Sequence, residues 1–335
     1  MTDKLTQMIV QKGYLLADGA TGTNLFNLGL QAGEPPEFWN TDEPDKILAL
    51  YQGAVSAGSD LFLTNSFGGN ASRLKLHNAQ ARAYELSKVA AELGREVADK
   101  AGRQVLVAGS MGPTGEIMGA AGSLSHESAV EMFQETAQGL IDGGADILWV
   151  ETISAPEEYA AAAEAIHNIG APWVGTMSFD TAGRTMMGMT SEAMAEMVAG
   201  MEHGPAAFGA NCGVGASDLL RTVHGFADKA DRPIVAKGNA GIPKYNDGHI
   251  HYDGTPAVMA KYALLARDVG ASVIGGCCGT MPEHLRAMRE ALDSQPKGDK
   301  PTLEQITQAM GDFSSTSDGT GDGPRPERVR RGRRG

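Results

Sequence analysis

The sequence predicts a (β/α)8 TIM barrel followed by a disordered C-terminal tail. Three observations carry this expectation. A chain of 335 residues is long enough for one large core of the barrel type. Eight short apolar runs alternate with longer amphipathic segments between residue 14 and about residue 280, the order of a parallel sheet with crossover helices. A Gly-, Asn- or Thr-rich turn follows the runs. A doubly wound open sheet is the competing arrangement, and a count of eight favours closure.

In order, strands are expected at Tyr14–Ala17, Leu61–Thr64, Val105–Ala108, Ile147–Val150, Trp173–Met177, Ala207–Ala210, Ile234–Ala236 and Ser272–Gly275. Each is short and mostly apolar, as strands buried on both faces are. Helices are expected at Ala79–Ala101, His126–Asp142, Pro156–Asn168 and Ser191–Met201, which are alanine-rich and amphipathic. The alternation stops near Ser294, and Thr302–Phe313 has the length for one short surface helix. The expected organisation is a barrel over residues 1–293, a linker with a surface helix over 294–313, and a tail over 314–335. That tail is Ser, Thr, Gly, Asp, Pro and Arg with almost no apolar content, so it cannot offset its ordering entropy.

Composition narrows the function classes. Hydrophobic residues make up 42% and charged residues 21%, a globular balance. No apolar run approaches the roughly 18–20 residues of a membrane span. The start, Met1-Thr2-Asp3-Lys4, leads into mixed polar sequence without a signal-peptide pattern. A cytoplasmic, reducing location is expected, which keeps thiols available. Net charge is −13, yet residues 325–335 carry six Arg and one Glu, so the remainder stands at −18. An acidic body discourages nucleic-acid binding, and the Arg-rich end is expected to be solvated.

The chain has three cysteines. Cys277 and Cys278 are adjacent in Gly275-Gly276-Cys277-Cys278-Gly279-Thr280, and Cys212 stands in Gly209-Ala210-Asn211-Cys212-Gly213. An odd count argues against a disulfide framework, and vicinal cysteines rarely bridge each other because the geometry is strained. All three follow apolar runs, at the ends of strands six and eight, which closure separates by strand seven alone. Three thiolates with a fourth position open suit a catalytic zinc, one per chain. Buried thiols packed as small hydrophobes are the competing reading.

Strand ends at the C-terminal face of such a barrel carry its chemistry. Asp18 and Glu151 stand there, after strands one and four, placed to hold an ammonium; helix capping or a structural ion pair competes. The loop Gly19-Ala20-Thr21-Gly22 offers backbone N–H groups for a carboxylate. It is not a P-loop, because no Gly-Lys-Ser/Thr follows, and no G-x-G-x-x-G supports a dinucleotide site. Phe67 and Asn239, at the ends of strands two and seven, complete the expected substrate set. Ser110 and Ser178 lack the G-x-S-x-G surroundings of a hydrolase nucleophile. His249-Ile250-His251 has the spacing of one strand face and could ligate a metal; in a loop before Tyr252-Asp253-Gly254 it is expected to be solvated. Met186, Met187 and Met189 are expected to pack in loops or core, with padding of a flexible interface the alternative. An ammonium site, a carboxylate site and a thiolate-bound zinc together describe a thiol amino acid.

Asp18-Gly19-Ala20-Thr21-Gly22-Thr23, Thr64-Asn65-Ser66-Phe67-Gly68, Glu151-Thr152, Ala210-Asn211-Cys212-Gly213 and Gly275-Gly276-Cys277-Cys278-Gly279-Thr280 resemble the homocysteine S-methyltransferase family, in order, over residues 10–292. The resemblance implies zinc on Cys212, Cys277 and Cys278, homocysteine sulfur as fourth ligand, Asp18 and Glu151 around its amino group, and methionine as product. Family members draw the methyl group from betaine, S-methylmethionine, S-adenosylmethionine or a methyl-cobalamin protein. Betaine calls for an aromatic cage. Where the betaine enzymes place aromatics after the residues matching Phe67 and Glu151, this chain has Gly68 and Thr152. Both departures resemble the cobalamin-dependent type, whose mouth stays open to a bulky donor. Trp39 is the remaining cage candidate, with loop packing its competing role. The expected donor is methyl-cobalamin on a separate corrinoid or folate-binding protein, with betaine second. A zinc or thiol-amino-acid sensor is the non-enzymatic alternative.

Overall fold

In the computed structural model, residues 2–119, 122–241, 244–246 and 249–315 are described. Eight strands form one parallel sheet: β1 (Leu15–Leu16), β2 (Leu61–Leu63), β3 (Leu106–Met111), β4 (Ile147–Ile153), β5 (Trp173–Met177), β6 (Ala207–Cys212), β7 (Ile234–Gly238) and β10 (Ala271–Gly276). Their order is β1-β10-β7-β6-β5-β4-β3-β2. An antiparallel pair, β8 (Lys244–Asn246) and β9 (His249–His251), precedes β10, so the backbone of the His249-Ile250-His251 motif is a strand.

The helices before β4 are α1 (Lys4–Lys12), α2 (Gly22–Asn27), α3 (Trp39–Asp42), α4 (Pro44–Ser56), α5 (Ala71–Lys75), α6 (Ala83–Asp99) and α7 (His126–Asp142). After it come α8 (Pro156–Ile169), α9 (Ser191–Ala199), α10 (Ala216–Ala227), α11 (Pro256–Val269), α12 (Pro282–Ser294) and α13 (Leu303–Met310). Helix α7 has the expected bounds, with Ser125 as its N-cap. The long helix expected from Ala79 instead opens with a separate 3-10 turn, Gln80–Arg82.

The strands alternate between two apolar layers, as a two-residue period requires. Leu15, Leu61, Leu63, Leu106, Ala108, Ile147, Trp149, Val174, Ala207, Val235 and Val273 fill the lumen, and Leu5 and Met8 of α1 pack with them. Leu16, Phe62, Val107, Leu148, Val150, Phe208, Ala236 and Ile274 face the helices. Burying each large side chain contributes roughly 1.5–3 kcal/mol. Above the lumen layer the same period points Ser110, Glu151, Thr176, Asn211 and Lys237 inward. Four strands run two or three residues beyond their expected ends, so Ser110, Glu151 and Cys212 are strand residues rather than loop residues. The ladder carries on through polar positions, pairing Asn211 with Lys237 and Cys212 with Gly238.

Strands β1 and β2 share no ladder; carboxylates bridge the seam. The Asp60 N–H donates to Leu16 O at 2.6 Å and the Asp60 carboxylate accepts the Leu16 N–H at 2.9 Å. The Asp18 carboxylate accepts the Leu63 N–H at 2.9 Å. Lys12 and Arg289 pair with buried Asp60, offsetting its desolvation.

Residues 294–315 form an arm along α10 and α11. Arg267 of α11 donates to Gln295 O at 2.6 Å and Pro296 O at 2.7 Å. Ile306 of α13 is fully buried, so this helix packs on the barrel rather than lying free. The Phe313 ring lies 4.5 Å from the Arg221 guanidinium. The Ser314 N–H and hydroxyl both donate to Asp218, at 3.0 Å each. The chain from residue 314 is thus bonded to α10 for two residues, since Arg221 donates to Ser315 O; residues 316–335 lie outside the described residues. Among the described residues no helix is long and apolar enough to cross a membrane.

Candidate metal and substrate site

The inward register at the ends of β4, β6, β7 and β10 gathers the site. One thiol sulfur from each of Cys212, Cys277 and Cys278 lies within 4.8 Å of the other two, and Cys212 and Cys278 sulfurs are 3.9 Å apart. Two sulfurs on one tetrahedral zinc, each about 2.3 Å from it, stand about 3.8 Å apart, so the trio fits that ion.

Two non-glycine residues of the site hold left-handed backbone, Thr152 at φ 62° and Cys212 at φ 62°. Such positions cost roughly 1–3 kcal/mol and persist where surroundings over-determine them. Asn211 supplies that. Its carbonyl accepts the Thr152 N–H at 2.9 Å and the Thr176 hydroxyl at 2.7 Å, and its amide donates to Thr152 Oγ1 at 2.7 Å. The β4–β5 register shifts between Val150 and Ile153, a bulge that aims Glu151. Asn239 ties the two cysteine loops together. Its carbonyl accepts the Cys278 N–H at 3.0 Å, and its amide donates to Gly213 O at 2.8 Å and lies 3.7 Å from Cys212 Sγ. Both ends of Asn239, expected at the substrate, therefore serve the cysteines.

Without a counter-ion the thiols resist ionising together. Contact with Cys277 lowers the Cys212 thiol, while contact with Cys278 and burial raise it, leaving it at about 11. Contact with Cys212 lowers Cys278, while the Cys277 contact and charge raise it further, to about 12. Cys277 is raised as well, first by its contact with Cys212. Three facing sulfurs of this kind are what a dication would relieve. The Tyr252 side chain, carried by the segment before α11, stands beside Cys278.

Glu151 is buried, and its carboxyl is raised by that burial, which the Lys237 charge opposes. Its Oε1 accepts the Ser110 hydroxyl at 2.5 Å. Its other oxygen has no hydrogen-bond partner among the described residues. Asp18 is differently placed. One oxygen serves the seam through Leu63 and the other accepts Lys237 Nζ at 2.5 Å. Burial works against the charge of Lys237, but Asp18, Glu151 and Cys277 outweigh it and raise its pKa. Sequence reasoning missed this lysine, although alternation from Val235 signals that it faces inward. Gly275 leaves room for it: a Cβ there would lie 3.2 Å from Lys237 Cγ and 2.9 Å from Asp18 O.

The loop at residues 19–22 is narrower in its offer than expected. The Ala20 N–H donates to Thr280 O at 3.0 Å, so Ala20 is not free for a carboxylate. Gly19 packs on Thr280, where a Cβ would meet the carbonyl oxygen at 2.5 Å, and Thr21 precedes α2. Phe67 is half-buried and packs beside Gly112.

Gly68 does not border empty space. Buried Glu37 lies against it, its Oε1 accepting the Gly68 N–H at 2.6 Å. Trp39 is buried in the core, with Lys46 Nζ 4.2 Å from its ring centroid, so it takes the packing role. Thr152 is held by Asn211. No aromatic cage stands at these three positions. Phe26 and Leu28 after β1, Ile117 after β3, and Met186 and Met187 after β5 are exposed apolar side chains of the connections leaving the strands' C-terminal ends.

A family model described as homocysteine S-methyltransferase matches residues 15–292. The methionine synthase of Mycobacterium tuberculosis (strain ATCC 25618 / H37Rv) is 29% identical over 300 residues, covering 85% of this chain and 25% of that protein. The chain thus spans about a quarter of the length of that curated relative. The metallated form of the homocysteine methyltransferase MmuM from Escherichia coli matches with a TM-score of 0.72 at 23% identity, covering 85% of this chain and 99% of that one. Its oxidised form matches with a TM-score of 0.72, also at 23% identity, covering 86% and 99%. At that identity the likeness shows the fold.

Proposed function

Since the chain belongs to the homocysteine S-methyltransferase family, we propose that it methylates the sulfur of homocysteine to give methionine, with one zinc on Cys212, Cys277 and Cys278. The observation that carries this reading is three thiol sulfurs within 4.8 Å of one another, in a lumen that also holds a carboxylate, Glu151, with one oxygen unpartnered among the described residues. Zinc held there would lower the substrate thiol's pKa and keep it a thiolate at neutral pH, and three protein thiolates would leave that sulfur electron-rich enough to take a methyl group. Glu151 takes the substrate ammonium on its unbonded oxygen, fixed in place by Ser110. Gly19 and Thr21 lie where the substrate carboxylate is received. Asn211 and Asn239 hold the cysteine loops, so the sulfurs are preorganised rather than gathered by the ligand. A reducing compartment such as the cytoplasm keeps the three thiols free for metal.

The proposed donor is methyl-cobalamin carried by a separate protein. The absence of aromatics at positions 68 and 152 and the burial of Trp39 speak against a cage for betaine. The exposed apolar side chains at Phe26, Leu28, Ile117, Met186 and Met187 suit a protein docking over the mouth. The test is methionine formed by zinc-loaded protein from homocysteine with methyl-cobalamin, betaine, S-methylmethionine and S-adenosylmethionine side by side. Methyl-cobalamin is expected to give the most and betaine little. Rapid turnover with betaine alone would reverse the donor assignment. No methionine from any donor would favour a thiol-amino-acid sensor.

A further inference from the structure

A buried lysine lies in the lumen among groups expected to receive a substrate ammonium. Lys237 is 2% exposed, and its Nζ lies 2.5 Å from Asp18 Oδ1 and 5.6 Å from the centre of the Trp149 ring. Both Asp18 oxygens are engaged, one by this ammonium and one by the Leu63 N–H that bridges the seam. Glu151 has one oxygen on Ser110 and one without a partner among the described residues. The two carboxylates and one lysine leave a single formal negative charge, which matches one ammonium.

We propose that Lys237 sets substrate specificity by occupying, with its own ammonium, the acceptor that Asp18 would otherwise offer, so that the pocket recognises one substrate amino group through Glu151 alone. Lys237 is a positioning residue here: it acts through Asp18 and needs no contact with the substrate. The geometry explains why it is a lysine on β7. The inward register from Val235 places its stem over the apolar floor, and the missing side chain of Gly275 makes room for it. A long flexible stem can then present a point charge to Asp18 in the seam. The inference rests on the homocysteine reading of the site and names which carboxylate answers the amine.

The experiment is calorimetric titration of zinc-loaded protein with two thiols, L-homocysteine and 4-sulfanylbutanoate, which lacks only the amino group. Wild type is expected to favour homocysteine by about 10–100-fold, the size of one charge-assisted contact. Glu151→Gln is expected to bring the two thiols to within a few-fold of each other. In the double variant Lys237→Met, Glu151→Gln the preference is expected to return, because Asp18 is released to take the amine. In Asp18→Asn, Lys237→Met, where both partners are uncharged and no charge is left buried alone, the wild-type preference is expected to persist through Glu151. A lysine that merely supported the fold would weaken both thiols equally and leave their ratio unchanged. A full preference for homocysteine in Glu151→Gln would overturn the inference alone, since Asp18 would then be an acceptor despite Lys237. Failure of wild type to bind either thiol would overturn the homocysteine reading and the inference with it.

Discussion

The carboxylate of Glu37 occupies the space that a side chain at position 68 would need. A Cβ on Gly68 would lie 2.9 Å from Glu37 Oε1, which already accepts the Gly68 N–H at 2.6 Å. Gly68 is therefore small because of a buried acid on the Pro36–Phe38 turn. Gly68→Ala should destabilise the fold by about 1–3 kcal/mol, the usual cost of forcing extra volume into a packed site. Denaturant unfolding checks this, and an unchanged midpoint would mean that Glu37 gives way freely.

The same pair gives a pH dependence. Burial raises the Glu37 carboxyl, and its own N–H, the Gly68 N–H, Arg73 and His77 oppose that rise without cancelling it. A carboxyl raised on folding binds its proton more tightly in the folded state, so its contribution is favourable at low pH. It is lost as pH climbs from the ordinary value of 4.5 through the raised one. Glu37→Gln should remove that slope. The stability of wild type relative to the variant should therefore fall as pH rises above 4.5. Unfolding free energies of both proteins across that range decide it; parallel curves would count against a raised carboxyl.

Asn239 joins Gly213 and Cys278, one from each cysteine loop. Cys277→Ala should abolish tight zinc binding. Asn239→Ala should keep the zinc stoichiometry but weaken affinity by about 10–100-fold, as loss of groups that orient metal ligands does. Competition against a chelator of known affinity measures both. Equal affinity in Asn239→Ala and wild type would show that the loops hold their shape without it.

Met187 is an exposed apolar residue after β5. Met187→Glu should slow methyl transfer from a protein-borne donor by about tenfold, because it sets a charge against an apolar contact, while leaving stability within about 0.5 kcal/mol. Free methyl-cobalamin should serve the variant as well as it serves wild type. An equal loss with both donors would place Met187 in the chemistry instead of in docking.

The arm gives a contrast between two truncations. Ending the chain after Ser315 removes a segment with almost no apolar content and should leave the melting temperature nearly unchanged. Ending it after Ser294 removes Ile306, the Phe313 contact with Arg221 and both bonds from Ser314 to Asp218. That should cost about 3 kcal/mol or more, from one buried aliphatic side chain and hydrogen bonds to charged groups. Calorimetric scans of the two proteins suffice. Identical melting temperatures would show that the arm contributes nothing to the fold.

What the sequence determined by itself is the barrel and the meeting of its three cysteines. Eight apolar runs and their connecting helices repeat locally, so they were legible from spacing. Eightfold closure then brings Cys212 beside Cys277 and Cys278 whatever the detailed packing. Even Lys237 was within reach, because strand alternation from Val235 points it inward. What only the tertiary structure decided depends on which distant groups meet. Asp18 reads in sequence as an ammonium holder, a helix cap or half of an ion pair; the fold engages both its oxygens, through the seam and through Lys237, 219 residues away. Gly68 looks like an open place, yet Glu37, 31 residues earlier, fills it. Asn239 looks like a substrate ligand, yet its amide is shared between two loops that only the closed barrel brings together. Local propensity and periodicity act over a few residues, whereas the partner of a buried polar group is whichever acceptor or donor the fold delivers to it, and no spacing along the chain encodes that choice.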